Sequence, residues 1–242
     1  MAVDGAGAVP SGSPLLADHT SLRVGGPADR LVVATTEAEL IEAVTGCDRR
    51  GEPVLVVGGG SNLLVADEGF RGTVVVVATR GISADVSACG GAAVRVAAGE
   101  NWEAFVAEAV AREWSGVEAL SGIPGSVGAT PIQNVGAYGA EVAQTIASVR
   151  TWDRERDTQR TFAISDCGFG YRSSMFKASM SGASPRYVVL EVTFGFERNE
   201  RCSPIAYADV ATALGVALGD RVRLSFSVML DPASDQGTRR GG

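Results

Sequence analysis

Histidine is almost missing from this chain: among 242 residues there is one, His19. A single imidazole without companions does not assemble a metal centre, so His19 reads as a surface or packing residue, and serine–histidine–aspartate chemistry finds no support. Cysteine is scarce as well. Cys47, Cys89, Cys167 and Cys202 lie far apart with no C-x-x-C pair, which indicates neither a zinc site nor a disulfide framework and fits a reducing compartment. No window supplies the roughly 18 uninterrupted apolar residues of a membrane span, and the N-terminal segment has no basic end followed by an apolar block. The expectation is a cytoplasmic protein without a membrane partner. Basic side chains are outnumbered: 21 Lys and Arg stand against 28 Asp and Glu, a net charge of −7. That balance speaks against nucleic acid, because backbone phosphates call for a concentrated basic face. An anionic ligand must then be held by a few local arginines and by backbone N–H groups.

What is present suits a folded protein. With 45% hydrophobic residues the chain can bury one large core or two modest ones. Leu31–Ala34 reads as a strand, and Thr36–Val44 as a helix opened by a capping box, Thr36 followed three residues on by Glu39. Val54–Val57 is a short apolar strand that runs into the glycine loop GGGSNLL, residues 58–64; after a turn at residues 67–69 the β-branched Thr73–Ala78 forms the next strand. This order disfavours the doubly wound dinucleotide plan, whose glycine loop opens a helix, and the missing GK[ST] excludes a Walker loop. Val94–Ala98 is a further strand, Trp102–Trp114 an amphipathic helix, and Ile146–Trp152, Gln159–Ala163 and Arg186–Glu197 are strands. Helices and strands intermix without a regular repeat, which points to α+β subdomains around a shared cleft. Residues 233–242 carry no apolar periodicity and are expected to be disordered; the β-prone run LSFSVML at 224–230 is the segment to watch for aggregation.

Two glycine-rich loops stand out. The first is GGGSNLL; the second runs from Gly122 to Gly139, GIPGSVGATPIQNVGAYG. Glycine lets backbone approach a ligand closely, and consecutive N–H groups form an anion nest. Taken alone, GGGSNLL reads equally as a tight turn or a ligand loop. Two such loops, with Ser61, Asn62, Ser126 and Asn134 beside the glycines, favour a dinucleotide pyrophosphate. In GFGYRSSMFK, residues 168–177, Arg172 sits among aromatics and hydroxyls. It reads either as a surface ion-pairing residue or as a fixed cation able to polarise a carboxylate or carbonyl oxygen, and composition leaves both open.

Together GGGSNLL, the GENW of residues 99–102, the long second loop and FGYRSSMFK resemble the UDP-N-acetylenolpyruvoylglucosamine reductase family, from about His19 to Tyr207. The second loop is the specific signal; GGGSN alone is weak. The resemblance implies an α+β flavoprotein of the vanillyl-alcohol-oxidase (PCMH) type, with FAD between two subdomains, residues 18–80 and 81–199. A tail at 1–17 precedes them, and 200–242 would begin a third, substrate-binding subdomain that is largely missing. The residues implied to hold FAD are Gly58, Gly59, Gly60, Ser61, Asn62 and Leu63 in the first loop. In the second they are Ile123, Pro124, Gly125, Ser126, Gly128, Ala129, Thr130, Gln133, Asn134 and Gly136. Relatives with covalent flavin often carry histidine in the first loop, so Ser61 implies noncovalent FAD. In that family NADPH reduces the flavin, which passes hydride to the enolpyruvyl carbon of a UDP-sugar while a cation stabilises the resulting charge. Arg172 matches that cation, and Tyr138 and Tyr207 match positions at the substrate.

The resemblance also has gaps. The family's proton-donor serine motif, similar to GSFFxNP, and its C-terminal glutamate have no match; residues 229–233, MLDPA, resemble the lead-in to the former. Ser173 stands where relatives carry an acidic or amide residue. A placed acid is worth on the order of 10²–10⁴ in rate. The expectation is therefore a chain that keeps FAD but turns the enolpyruvyl sugar over poorly, with a noncatalytic flavin-binding remnant or interaction module as the alternative.

Overall fold

The computed structural model describes residues 14–86 and 91–224. The expectations for residues 225–230 and 233–242, and Cys89, lie outside the described residues. Within the segment expected as an N-terminal tail, Leu15 bridges to Pro27, and Leu16 is buried in a 3-10 turn, Leu16–His19.

The chain then forms β1 (Ala28–Ala34), α1 (Glu37–Arg50), β2 (Val54–Val57) and β3 (Phe70–Val77). Next come β4 (Ile82–Val86), β5 (Gly91–Ala97), α2 (Trp102–Ala111) and β6 (Trp114–Ser115). The short pair β7 (Gly136–Ala137) and β8 (Ala140–Glu141) leads to β9 (Ile146–Asp153) and β10 (Thr158–Ala163), then to α3 (Met175–Ala178), β11 (Tyr187–Arg198) and α4 (Ala208–Leu214). The capping box forms: the Thr36 hydroxyl accepts from the Glu39 N–H, and the Glu39 carboxylate accepts from the Thr36 N–H. Helix α1 runs six residues past its expected end at Val44 to Arg50, and stops at Gly51, whose φ of 63° supplies the left-handed cap. Helix α2, by contrast, ends at Ala111, short of the expected Trp114. Glu113 takes φ 62° and turns Trp114 into β6, where it pairs with Arg198 of β11. Apolar spacing alone does not register that turn.

Two sheets result. The first is parallel, in the order β1-β3-β2, with the β-branched Thr73, Val74 and Val75 of central β3 fully buried. The second is antiparallel, β10-β9-β11-β5-β4, with β6 added on β11. Trp102, Phe105, Val106 and Ala109 of α2 are buried on it, Phe105 lying 4.9 Å from the Phe194 ring, and the Trp102 indole donates to the Leu120 carbonyl at 2.9 Å. One core cluster joins Leu40, Val44 and Val75 of the first unit to Val94, Val149 and Val192 of the second. Charged pairs flank it where α1 meets β9. Arg150 bonds Glu37 at 2.6 and 2.7 Å, and Arg154 bonds Asp48 through two nitrogens.

Candidate functional site

The two glycine loops meet at the mouth of the joint between the sheets. The first leaves the end of β2 and returns as β3 without a helix, a parallel crossover made of loop alone. Its glycines are where backbone meets backbone. A Cβ on Gly59 would stand 2.6 Å from the Gly125 Cα, and one on Gly60, at φ 65°, would stand 1.9 Å from the His19 carbonyl oxygen. In the second loop a Cβ on Gly128 would stand 2.5 Å from the Ala98 Cβ. The second loop is sewn to the GENW turn and the residue before it by Trp102 N–H to the Gly125 carbonyl (3.1 Å), Val127 N–H to the Glu100 carbonyl (2.9 Å) and Gly128 N–H to the Ala98 carbonyl (2.8 Å). The loops are tied to one another by the Ser61 hydroxyl, which donates to the Pro124 carbonyl at 3.0 Å, and by the Asn62 amide, which donates to Gln133 at 3.3 Å.

Between them lies a cavity of about 470 Å³. Every first-loop residue named from the sequence, Gly58 to Leu63, lines it. So do Ile123, Pro124, Ser126, Gly128, Ala129, Thr130, Gln133, Gly136 and Arg172. Gly125, Asn134, Tyr138 and Tyr207 are not in its wall. Asn134 is buried, and its side chain turns into the protein: the amide donates to Glu141 at 2.7 Å and to the Gly170 carbonyl at 3.1 Å, and its oxygen accepts from the Ala143 N–H at 3.1 Å. Tyr138 and Tyr207 meet edge to face with ring centroids 6.0 Å apart.

Several wall residues were not singled out from the sequence. Trp102, Val188 and Val189 supply apolar floor, and Lys177 adds a second cation. Strand β11 reaches the cleft only through long-range pairing, for which a single sequence carries no signal. Ser174 lies outside the wall and is the N-cap of α3; its hydroxyl accepts from the Lys177 N–H at 3.1 Å.

The electrostatics of the wall are one-sided. Among the described residues it contains no Asp or Glu, although the chain carries a net −7, and its two charges there are Arg172 and Lys177. Arg172 bonds the Gly136 carbonyl at 2.6 Å, and Lys177 bonds the Arg172 carbonyl at 3.1 Å; neither meets a carboxylate among the described residues. The N–H groups of Gly59, Gly60, Ser61 and Asn62 likewise find no acceptor among the described residues. Four unpaired donors in succession and two cations that meet no carboxylate line the same cavity, which suits an anion on an apolar body.

A parallel and an antiparallel sheet, with paired glycine loops at their joint, define a dinucleotide-binding α+β protein of the vanillyl-alcohol-oxidase type. The chain belongs to the FAD binding domain family, whose model matches residues 28–161. Within it the kinship is with UDP-N-acetylenolpyruvoylglucosamine reductases. Identity to the one from Cutibacterium acnes is 61% over 210 residues, covering 87% of this chain and 55% of that protein. The crystal structure of the reductase from Thermus caldophilus aligns with a TM-score of 0.61 at 32% identity, over 77% of this chain and 62% of that one. A solvent-stable cholesterol oxidase shares the fold, with a TM-score of 0.52 at 16% identity over 80% of this chain and 39% of that one. The chain spans about half the length of the curated relatives it matches, 55% for the first named.

The cleft fits the group that names the family. A pyrophosphate takes N–H donors and tolerates no carboxylate beside it, and among the described residues the wall offers the first and lacks the second. Among the described residues, no histidine or cysteine lines the wall.

Proposed function

We propose that this chain holds FAD noncovalently between its two glycine loops and serves the NADPH-dependent reduction of UDP-N-acetylenolpyruvoylglucosamine to UDP-N-acetylmuramate, a peptidoglycan precursor. The single observation that carries the reading is the wall, free of acids among the described residues, with unpaired N–H groups from Gly59 to Asn62 and the two cations Arg172 and Lys177. Bound FAD supplies a hydride relay from a nicotinamide to an electron-poor carbon. The chain's own residues would do the rest. Gly58 to Leu63, with Ile123, Pro124, Ser126, Gly128, Ala129, Thr130, Gln133 and Gly136, would hold the cofactor, and Trp102, Val188 and Val189 keep water from its apolar body. Arg172 would stabilise negative charge as it grows on the substrate carboxylate. The edge-to-face pair Tyr138 and Tyr207 would flank the sugar nucleotide. No helix among the described residues is long and apolar enough to cross a membrane, and the reading places the protein in the cytoplasm with a UDP-sugar, not a nucleic acid, as its ligand.

The test is a visible absorption spectrum of the purified chain, followed by anaerobic NADPH and then the enolpyruvyl sugar nucleotide. The reading requires a flavin band that bleaches with NADPH and returns with the sugar. A band that bleaches and never returns marks a flavin-binding module without turnover, and no band at all overturns the cofactor assignment.

A further inference from the structure

The Arg172 turn is fastened to the second glycine loop at three alternate residues. The Ser174 hydroxyl donates to the Ile132 carbonyl, the Asn134 amide donates to the Gly170 carbonyl at 3.1 Å, and the Arg172 guanidinium donates to the Gly136 carbonyl at 2.6 Å. Residues 132, 134 and 136 of one segment thus meet 174, 170 and 172 of the other. Reciprocal backbone bonds between Gly170 and Ser173, 3.0 and 3.1 Å, close the turn around Arg172. Arg172 itself sits at φ 52°, a left-handed backbone that a residue with a long side chain does not keep unless its surroundings impose it.

Two of the three bonds between the segments come from buried side chains. Ser174 is 1% exposed, and its one hydroxyl is used on both sides, donating to Ile132 and accepting from the Lys177 N–H. Asn134 is also 1% exposed, stands at φ 46°, and bonds to Glu141, Ala143 and Gly170. Neither needs to touch a ligand to matter. Gln133 and Gly136, beside or within the stitched stretch, form the cleft wall, so whatever positions that loop also positions the cation.

We propose that Ser174, seconded by Asn134, is a positioning residue that locks the Arg172 turn to the cofactor loop and so sets where the cation stands. This rests on Arg172 acting as the cation of the reaction. It predicts a split between half-reactions, because reduction by NADPH does not call on Arg172 whereas reoxidation by the sugar does.

The test uses the FAD-loaded full chain with Ser174→Ala, Ser174→Thr, Arg172→Ala and the Ser174→Ala/Arg172→Ala pair, the two half-reactions being followed separately in stopped flow. Ser174→Ala should slow reoxidation by the enolpyruvyl sugar by about ten to a hundredfold, the scale of a cation displaced by about an ångström. Reduction by NADPH and retention of FAD should be unchanged, and Ser174→Thr, which keeps a hydroxyl, should restore most of the rate. In the Arg172→Ala background the same change should cost nothing further. Equal losses in both half-reactions, or an additive loss in the pair, would show Ser174 to be structural only and overturn the proposal. Should the native chain prove unable to be reoxidised by the sugar, the functional reading fails. The positioning claim is then decided by the ¹⁵N-labelled guanidinium of Arg172: hindered Nη signals at low temperature that collapse in Ser174→Ala support it, and identical signals in both proteins sink it.

Discussion

Glu37 at the start of α1 and Arg150 of β9 form a two-pronged ion pair, 2.6 and 2.7 Å, across the joint between the parallel and the antiparallel sheet. The Arg150 hydrogen bond holds the Glu37 carboxyl below its usual range, against the upward pull of burial. A depressed carboxylate contributes stability above its unfolded value and loses it as pH falls through the folded one. Glu37→Gln should therefore destabilise the protein near neutral pH by about 1 kcal/mol, with both partners roughly a third exposed. The difference should vanish as pH drops below the carboxylate range, as read from urea midpoints across pH.

Gly60 tests the cleft directly. Gly60→Ala places a Cβ against the His19 carbonyl at a φ of 65°. Backbone strain of this kind is worth about 1–3 kcal/mol, and the displaced loop should lose its flavin. The ratio of flavin to protein absorbance after gel filtration checks it; a full complement of FAD in Gly60→Ala would contradict the assigned cradle.

Arg172→Met keeps most of the side chain's bulk and removes its charge. FAD should stay bound and still be reduced by NADPH, while turnover of the sugar should fall by about 10²–10³, the usual loss when one stabilising group is removed. Steady-state kinetics would show this in kcat. A rise confined to KM would make Arg172 a binding residue instead.

Cys167 and Cys202 should be chemically silent. Burial pushes the Cys167 thiol up to about 11, with Asp166 adding to the shift, and burial raises Cys202 as well. The thiolate is the reactive form, so at pH 8 alkylation should track unfolding of the chain. Peptide mapping after iodoacetamide, with and without urea, reads it; rapid labelling of Cys167 in the folded state would refute its placement.

Much of the local structure was legible from short-range chemistry. Val54–Val57 has the limits its apolar run implied, and Thr36 with Glu39 marked the start of α1. What escaped was exposed or long-range. Strand β4 is an edge strand whose Ser83, Ala84 and Asp85 face water, so it shows no apolar run, yet it pairs with β5 over its whole length. The glycine loops announced the cleft because glycine spacing is a backbone property. Which polar neighbours would enter it was not legible. Asn134 and Gln133 are adjacent, but a φ of 46° at Asn134 turns its side chain toward Gly170, while Gln133 faces the cavity.

Strand β11 is central to the antiparallel sheet, seated between β9 and β5, and Tyr187, Val188 and Val189 of the same strand line the cavity. Its pairing with β5 joins residues about a hundred positions apart, Phe194 to Val94 among them. Contacts so distant along the chain form late, because loop closure must be paid before they reward it. The cavity therefore depends on pairing that neither glycine loop can supply by itself: both loops precede, in the chain, the strand that completes the pocket between them.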